Sequence, residues 1–541
     1  MRRWPLSLGM TTWLVVAGLA QAVSLAWPLD GAWRGVPQGW LQLASLAALA
    51  AVLDRSYSVP HAFAQAWVFA WAWLTGSTWW LFISLHTYGE LAAPLAALAV
   101  LLLAAGLALF YGAAGAVFHR VCGHTQLGVL ARALSFASVW LLAEWARGTL
   151  WTGFPWGAGG YAHTESLMRH WAPWVGVYGL SALSAGLAMT LVAQRHYTAS
   201  RTWVASSVTA VLCVVLGWMW FTSPSHTDAH AANNAFTQPL RVTLLQGNIP
   251  QDLKFGATGV GRALRDYREA LLASTSDLTV TPETALPMSP EQLPDGYWGG
   301  VEQHFSKGTQ AALIGVPLAQ RSVDGQRQYS NSALGLMPQA TPAATATYQY
   351  DKHHLVPFGE FVPPLFQWFV RLLNIPLGDF TRGEVVQPAM QVKGERIAPN
   401  ICYEDLFGEE LARSFAAPHD APTMLVNLSN IAWFGDTVAI DQHLHISRMR
   451  ALELGRPMLR ATNTGATAII NAQGEVTHRL PSAVAGALTA EVRGVHGPVT
   501  PYARWVSAWG LWPLVEVALL TLLAVALLAH AGRHGPRRFG P

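Results

Sequence analysis

Seven apolar runs, near 8–28, 38–53, 62–85, 92–118, 130–149, 172–194 and 203–222, precede a polar stretch, SPSHTDAHAANNAFTQP, and an eighth run at 507–530 comes near the end of the sequence. Most of them reach the roughly 20 residues that a helix needs to cross about 30 Å of hydrocarbon; the second is shorter. A segment in hydrocarbon must satisfy its backbone hydrogen bonds internally, so these runs are constrained to be helices. Composition agrees: 52% of the chain is hydrophobic and 12% charged, against about 25% charged in soluble domains. Twenty-five tryptophans fit the same environment, because indole rings favour the boundary between headgroups and hydrocarbon.

The first run follows Arg2 and Arg3 as a signal sequence would, but it lacks a small-residue cleavage site and more spans follow it, so it reads as a retained anchor. Basic residues in short loops mark the cytoplasmic side. Arg2, Arg3, Arg55, Arg120, Arg132, Arg195, Arg201, Arg533, Arg537 and Arg538 fall on one side, and Arg34, Arg147 and Arg169 on the other. The expected organisation is therefore a helical membrane domain over 1–222, a domain over 223–505 on the extracytoplasmic face, a last span over 506–530 and a basic cytoplasmic tail over 531–541. In a Gram-negative cell the middle domain would be periplasmic. Glu144, the clearest ionisable group in a span, lies near a span end and is expected at the interface.

Within 223–505 short β-type runs recur: RVTLLQGN, DLTVTPE, AALIGVPL, ALGLM, RIAPNICYE, TMLVNLSN, MLRATNTG and ATAIINAQG. Helical patterns such as GVGRALRDYREALLAS and DQHLHISRMRALELG separate some of them, which argues for a layered α/β or α+β domain. NAQGE and SVDGQ carry hairpin-turn signals. A net charge of +3 without basic runs excludes nucleic acid as a partner. Three widely separated cysteines imply neither a disulfide framework nor a CxxC metal site. Cys122 and Cys213 read as buried helix residues, and HLH at 443–445 reads as a pair on a helix surface; no metal or cofactor is expected.

Cys402, in PNICYEDL, stands where a strand ends in polar residues. Two other strand ends finish in reactive groups, Glu283 in TVTPETALP and Lys352 in YQYDKHHLVPFGE. A thiol of ordinary pKa is mostly protonated at neutral pH and needs a base or a cation to act as a nucleophile. A carboxylate can carry its proton, and an ammonium can stabilise a negative oxygen. Taken singly, each residue has a plainer role, as a buried thiol or a surface charge.

The order Glu, Lys, Cys within these words resembles the catalytic triad of the carbon–nitrogen hydrolase, or nitrilase, superfamily over nearly all of 241–494. That likeness implies a four-layer αββα sandwich. LLQGNIPQDLKF, TPETALP, YDKHHLVPFGEFVP, ICYEDLFG, NLSNIAWFGDT, QHLHISRMRALELGRPMLRATNTG and TPYAR, with WTGFPWGAGGY at 151–161 and the layout of about eight spans around one such domain, narrow the resemblance to the bacterial apolipoprotein N-acyltransferase family. The resemblance implies Glu283 as general base, Lys352 as oxyanion stabiliser and Cys402 as nucleophile. It makes Glu360, Tyr403 and Glu404 supporting residues, and Phe255, Phe358 and Trp433 substrate-site residues. It further implies transfer of an acyl chain from a phospholipid, typically phosphatidylethanolamine, through a cysteine thioester to the α-amino group of a diacylglyceryl-cysteine on an apolipoprotein. The implied setting is the bacterial inner membrane, with the chain acting as a monomer.

Two departures from the family's pattern are visible. Phe255 stands where the family usually has tryptophan, so a hydrogen bond from an indole N–H is lost. After TPYAR the chain continues as WVSAWG, and only Arg504 is carried over. FVPPLFQWFVRLLNIPLGDF, 361–380, is too apolar for an ordinary loop and is expected to dip toward lipid as a lid. The rival readings are a membrane-anchored amidase, for which one span would suffice, and a non-enzymatic transporter or scaffold. The orientation is tested by reporter fusions: alkaline phosphatase joined after residue 230 is expected to be active, and joined after residue 541 inactive, whereas the opposite pattern would invert the topology.

Overall fold

The computed structural model describes residues 6–123, 127–194, 238–254, 256–321, 327–338, 347–362 and 380–534. The expected span 203–222, Cys213, Phe255 and most of the 361–380 segment lie outside them.

The chain divides into two compact units. The first holds helices α1 (Leu8–Leu25), α2 (Gly39–Leu53), α3 (Val59–Thr78), α4 (Ala93–Cys122), α5 (Val129–Thr149), α6 (Ala172–Ala193) and a C-terminal helix, Trp512–His534. Among the described residues, five helices are long and apolar enough to cross a membrane. The 15-residue α2 is too short for that test, as its sequence foretold. One expected span is not continuous. The run read as 62–85 ends as α3 at Thr78, and the chain then bends by 61° into the short helical turns Leu81–Tyr88. Trp80–Ala93 packs with the second unit.

Cys122 is buried at the end of α4, in keeping with a helix residue. Glu144, expected at the interface, is instead fully buried on α5. Its Oε1 accepts from the Gly159 amide at 3.0 Å and from Trp140 Nε1 at 3.2 Å. One turn on, Arg147 donates to the carbonyls of Phe154 and Trp156 and to the Tyr111 hydroxyl. Charged side chains inside a helical bundle persist where they satisfy backbone groups that hydrocarbon would leave unpaired. These two therefore pin the irregular GFPWGAGGY segment.

The second unit is a sandwich of two six-stranded sheets. One contains β1 (Leu240–Gln246), β2 (Leu278–Val280), β3 (Ala311–Arg321), β4 (Arg327–Leu336), β5 (Tyr348–Asp351) and β12 (Gly486–Val492), in the order β12-β1-β2-β3-β4-β5. The other contains β6 (Met390–Val392), β7 (Glu395–Ile401), β8 (Met424–Ser429), β9 (Met458–Thr462), β10 (Ala468–Ile470) and β11 (Val476–Arg479), in the order β11-β10-β9-β8-β7-β6. In each sheet a parallel centre, β1-β2-β3 or β7-β8-β9, is flanked by antiparallel pairs.

Strand side chains alternate between faces, and the burial follows that period. Ala311 and Leu313 of β3 join Val242, Leu244, Ile397, Val426 and Leu459 in the core between the sheets. Ala312, Ile314 and Val316 point the other way, onto Leu264, Tyr267 and Leu271 of helix α7 (Ala257–Ala273) and Val301 and Phe305 of α8 (Tyr297–Lys307). Helix α9 (Ala439–Leu454) follows β8 and is buried on nearly every face. This is the expected αββα arrangement.

All eight β-type runs form strands, and NAQGE closes the β10–β11 hairpin. SVDGQ lies outside the described residues. Leu313→Ala is expected to cost about 2–5 kcal/mol, visible as a thermal unfolding midpoint several degrees lower in the detergent-solubilised protein. An unchanged midpoint would remove this side chain from the core.

Candidate active site

Glu283 follows β2, Lys352 follows β5 and Cys402 follows β7, so strand ends from both sheets supply the three groups. The Lys352 ammonium, 1% exposed, lies 3.2 Å from Glu283 Oε1 and 2.9 Å from Glu360 Oε1. A lone buried charge is very costly, and pairing with hydrogen-bonded partners offsets that cost. Asn331, on β4, donates through Nδ2 to both carboxylates at 2.8 and 2.7 Å. The second oxygens are held by backbone: Asn430 N–H donates to Glu283 Oε2 at 2.9 Å, and Val356 N–H to Glu360 Oε2 at 2.8 Å.

These contacts set the protonation of the resting site. Burial alone would raise the Glu283 carboxyl, but the Lys352 and Lys254 ammonium groups bring it below the usual carboxylate range. Burial would lower Lys352, yet Glu283 and Glu360 hold it above its ordinary value. The Cys402 thiol is pushed up to about 12 by burial and by the charge of Glu283, with Lys352 opposing. At neutral pH the site therefore rests as a carboxylate–ammonium pair beside a protonated thiol.

Backbone geometry fixes the nucleophile candidate. Cys402 has φ +54°, a left-handed conformation that a β-carbon disfavours. It opens a tight helical turn, Cys402–Leu406. Its carbonyl accepts from Asn427 Nδ2 at 3.2 Å and lies 3.3 Å from His443 Nε2. His443 Nε2 is also 3.0 Å from Asp405 Oδ1, while Arg460 meets Asp405 Oδ2 at 3.1 Å and His443 Nδ1 at 3.2 Å. Arginine can only donate, so Nδ1 is the acceptor and the ring proton sits on Nε2. The HLH pair is thus no surface feature: His443 and His445 are both buried, and His443 braces the turn that carries the thiol. Among the described residues, no group of three or more His, Cys, Asp and Glu could hold a metal ion.

Glu283 is fixed from beneath. A β-carbon on Gly315 of β3 would lie 2.1 Å from the Pro282 carbonyl and 3.0 Å from Glu283 Cα, so only glycine allows this approach. Glu404 ties two strand ends together. Its Oε1 accepts from the amides of His353 and His354, and its Oε2 from the Ile401 amide and the Tyr350 hydroxyl. Burial raises its carboxyl, with the Ile401, His353 and His354 amides and the Lys352 charge opposing. Glu360 and Glu404 are both buried, so neither is a solvated surface charge.

Tyr403 is buried against the rings of Phe407 and His354. Phe358 is half-buried, at φ +62°, in the turn before Glu360. Trp433 is 37% exposed in the turn after β8, three residues beyond Asn430, with its ring edge-on to Tyr88 at 5.5 Å. Trp80 flanks it, against Phe434, and donates to Gln442 Oε1. Asn331, Asn430, Asp405, Arg460 and Lys254 join the site without having been singled out, and His443, read from the sequence as a helix-surface residue, joins it from a buried helix. The one hint in the sequence was polar residues placed inside strand and helix patterns that are otherwise apolar.

Residues 17–190 match the model of the apolipoprotein N-acyltransferase N-terminal domain, and residues 241–495 match that of carbon-nitrogen hydrolase. The apolipoprotein N-acyltransferase of Verminephrobacter eiseniae is 51% identical, covering 92% of this chain and 93% of that protein. Those of Ralstonia nicotianae and Bordetella bronchiseptica are 46% and 39% identical, covering 92% and 96% of this chain and 90% and 96% of their own lengths. With relatives this similar along nearly its whole length, the chain belongs to the apolipoprotein N-acyltransferase family.

Proposed function

We propose that this protein transfers an acyl chain from a phospholipid, phosphatidylethanolamine as the leading donor, to the α-amino group of a diacylglyceryl-cysteine at the start of an apolipoprotein. The observation that carries this reading is the convergence of Glu283, Lys352 and Cys402 from three strand ends, with both charged groups acting on the thiol.

In the first half-reaction Cys402 Sγ attacks the ester carbonyl while its proton passes to the Glu283 carboxylate. A proton shift to a carboxylate of low pKa is uphill at rest, so it has to accompany attack rather than precede it. The tetrahedral oxyanion is met by the Lys352 ammonium and by the Tyr403 amide that follows the nucleophile. Its collapse breaks the carbon–oxygen bond. Glu283 returns the proton to the departing alkoxide, leaving a lysophospholipid and a thioester on Cys402. In the second half-reaction the neutral amine attacks the thioester and loses a proton to Glu283. Carbon–sulfur cleavage then gives the amide, and Cys402 leaves with the proton.

Glu360 and Asn331 hold Lys352 and Glu283 in register, and Glu404 keeps the Lys352 strand end against that of Cys402. Phe358 and Trp433 border the substrate site. Each substrate carries acyl chains, and exposing them to water costs about 0.8 kcal/mol per CH₂. The reaction therefore belongs at the lipid surface, on the periplasmic face of the inner membrane.

Purified full-length protein incubated with acyl-labelled phosphatidylethanolamine is expected to acquire a label that neutral hydroxylamine removes. Cys402→Ala abolishes it, and Glu283→Gln slows its appearance by at least about a hundredfold. A wild type that never labels, or a Cys402→Ala protein that labels normally, would overturn the reading.

A further inference from the structure

We infer that Lys254 is a positioning residue of this site, whose buried ammonium supplies the second positive charge that lets Cys402 form a thiolate beside Glu283 and Glu360. The inference rests on Cys402 being the nucleophile.

Lys254 ends the helical turn Gln251–Lys254 that follows β1. It is 4% exposed, and its Nζ donates to the Glu283 carbonyl at 3.3 Å. The turn is tied to the triad through side chains. Gln251 Oε1 accepts from Asn430 Nδ2 at 3.1 Å, and Asn430 holds Glu283 through its own amide. Asn463 completes the bracket, donating to Asn430 Oδ1 and to the Ile249 carbonyl. An exposed lysine would do nothing for the triad, but this one is carried into its neighbourhood by a network that ends on the catalytic carboxylate.

The charge balance explains why a second cation belongs there. Glu283 and Glu360 against Lys352 leave one net negative charge before the thiol ionises. Loss of the thiol proton to solvent with Glu283 still ionised, the state that alkylation reads, would bring a second into a site largely closed to water, where like charges are weakly screened. Lys254 restores neutrality before ionisation, and Glu283 and Cys402 are the two groups that favour its charged form. The other charged groups near the thiol leave this balance open. Glu404 is taken up by three backbone amides and Tyr350. Asp405, His443 and Arg460 form their own cluster at the Cys402 carbonyl, and Arg460 also feels the thiol. On its own turn, Asp252 precedes Lys254 by two residues.

Burial brings Lys254 down to about 8, against the pull of Glu283 and Cys402. Its charge is therefore present below that pH and lost above it, which gives a signature that a purely structural role lacks. The measurement is the rate of Cys402 alkylation by iodoacetamide in the full-length protein, read on the Cys402 peptide by mass spectrometry between pH 6 and 10. No phospholipid is needed, so the outcome is independent of the acyl-labelling result.

Lys254→Met is expected to react about tenfold more slowly than wild type at pH 7, the effect of raising the thiol by one pKa unit. The two rates should converge above pH 9, where the wild-type lysine is neutral. Lys254→Arg, which stays charged, should match wild type at pH 7 and exceed it above pH 9. Equal rates for wild type and Lys254→Met at pH 7, or a loss by the same factor at every pH, would overturn the inference. Should Lys254→Met not fold, the Arg variant decides: no excess over wild type at high pH is the overturning result.

Discussion

A lysine ammonium shut away from water between two carboxylates is the interaction on which the rest of the catalytic unit depends. Lys352 cannot be buried alone, and neither can Glu283 or Glu360; each is stable there because the others are. Two carboxylates around one cation still repel each other. Asn331 answers this by donating to both, and the amides of Asn430 and Val356 take their outer oxygens. Removing any member leaves a buried charge without its partner, which is why so many polar atoms converge on so small a volume.

The sandwich makes this convergence possible. Strands from both sheets end at the same side, so a carboxylate from one and a thiol from the other meet without a long loop. Local strain sharpens the placement. Cys402 sits at positive φ, an unfavourable conformation held by Asn427, His443 and the Glu404 bridge. Gly315 lets a neighbouring strand pass directly under Glu283. Such strain persists only where surrounding contacts over-determine the backbone.

The helical unit shows the same logic in a different solvent. Its apolar faces are permitted by lipid, while Glu144 and Arg147 are turned inward to satisfy the backbone of an irregular segment. Sequence periodicity could not separate an inward charge from an interfacial one near a span end, because both lie at the same depth. The break after Thr78 was equally hidden. Trp80–Ile83 continues the apolar run, but the Trp80 and Tyr88 rings pack on Phe434 and Trp433 of the catalytic unit.

Apolar run length and the alternation of β-type words determined the helical unit and the layered domain, because both follow from periods of one to four residues. The order and flanking words of Glu283, Lys352 and Cys402 likewise pointed to the site. Tertiary structure alone decided which polar residues stand around it. Asn331, Asn430 and Lys254 reach Glu283 across 48, 147 and 29 positions of the chain, and His443 reaches the Cys402 carbonyl across 41; nothing in their local sequence encodes that meeting. Whether a charge is solvated or buried depends on what packs over it, and that is settled only when distant segments fold together.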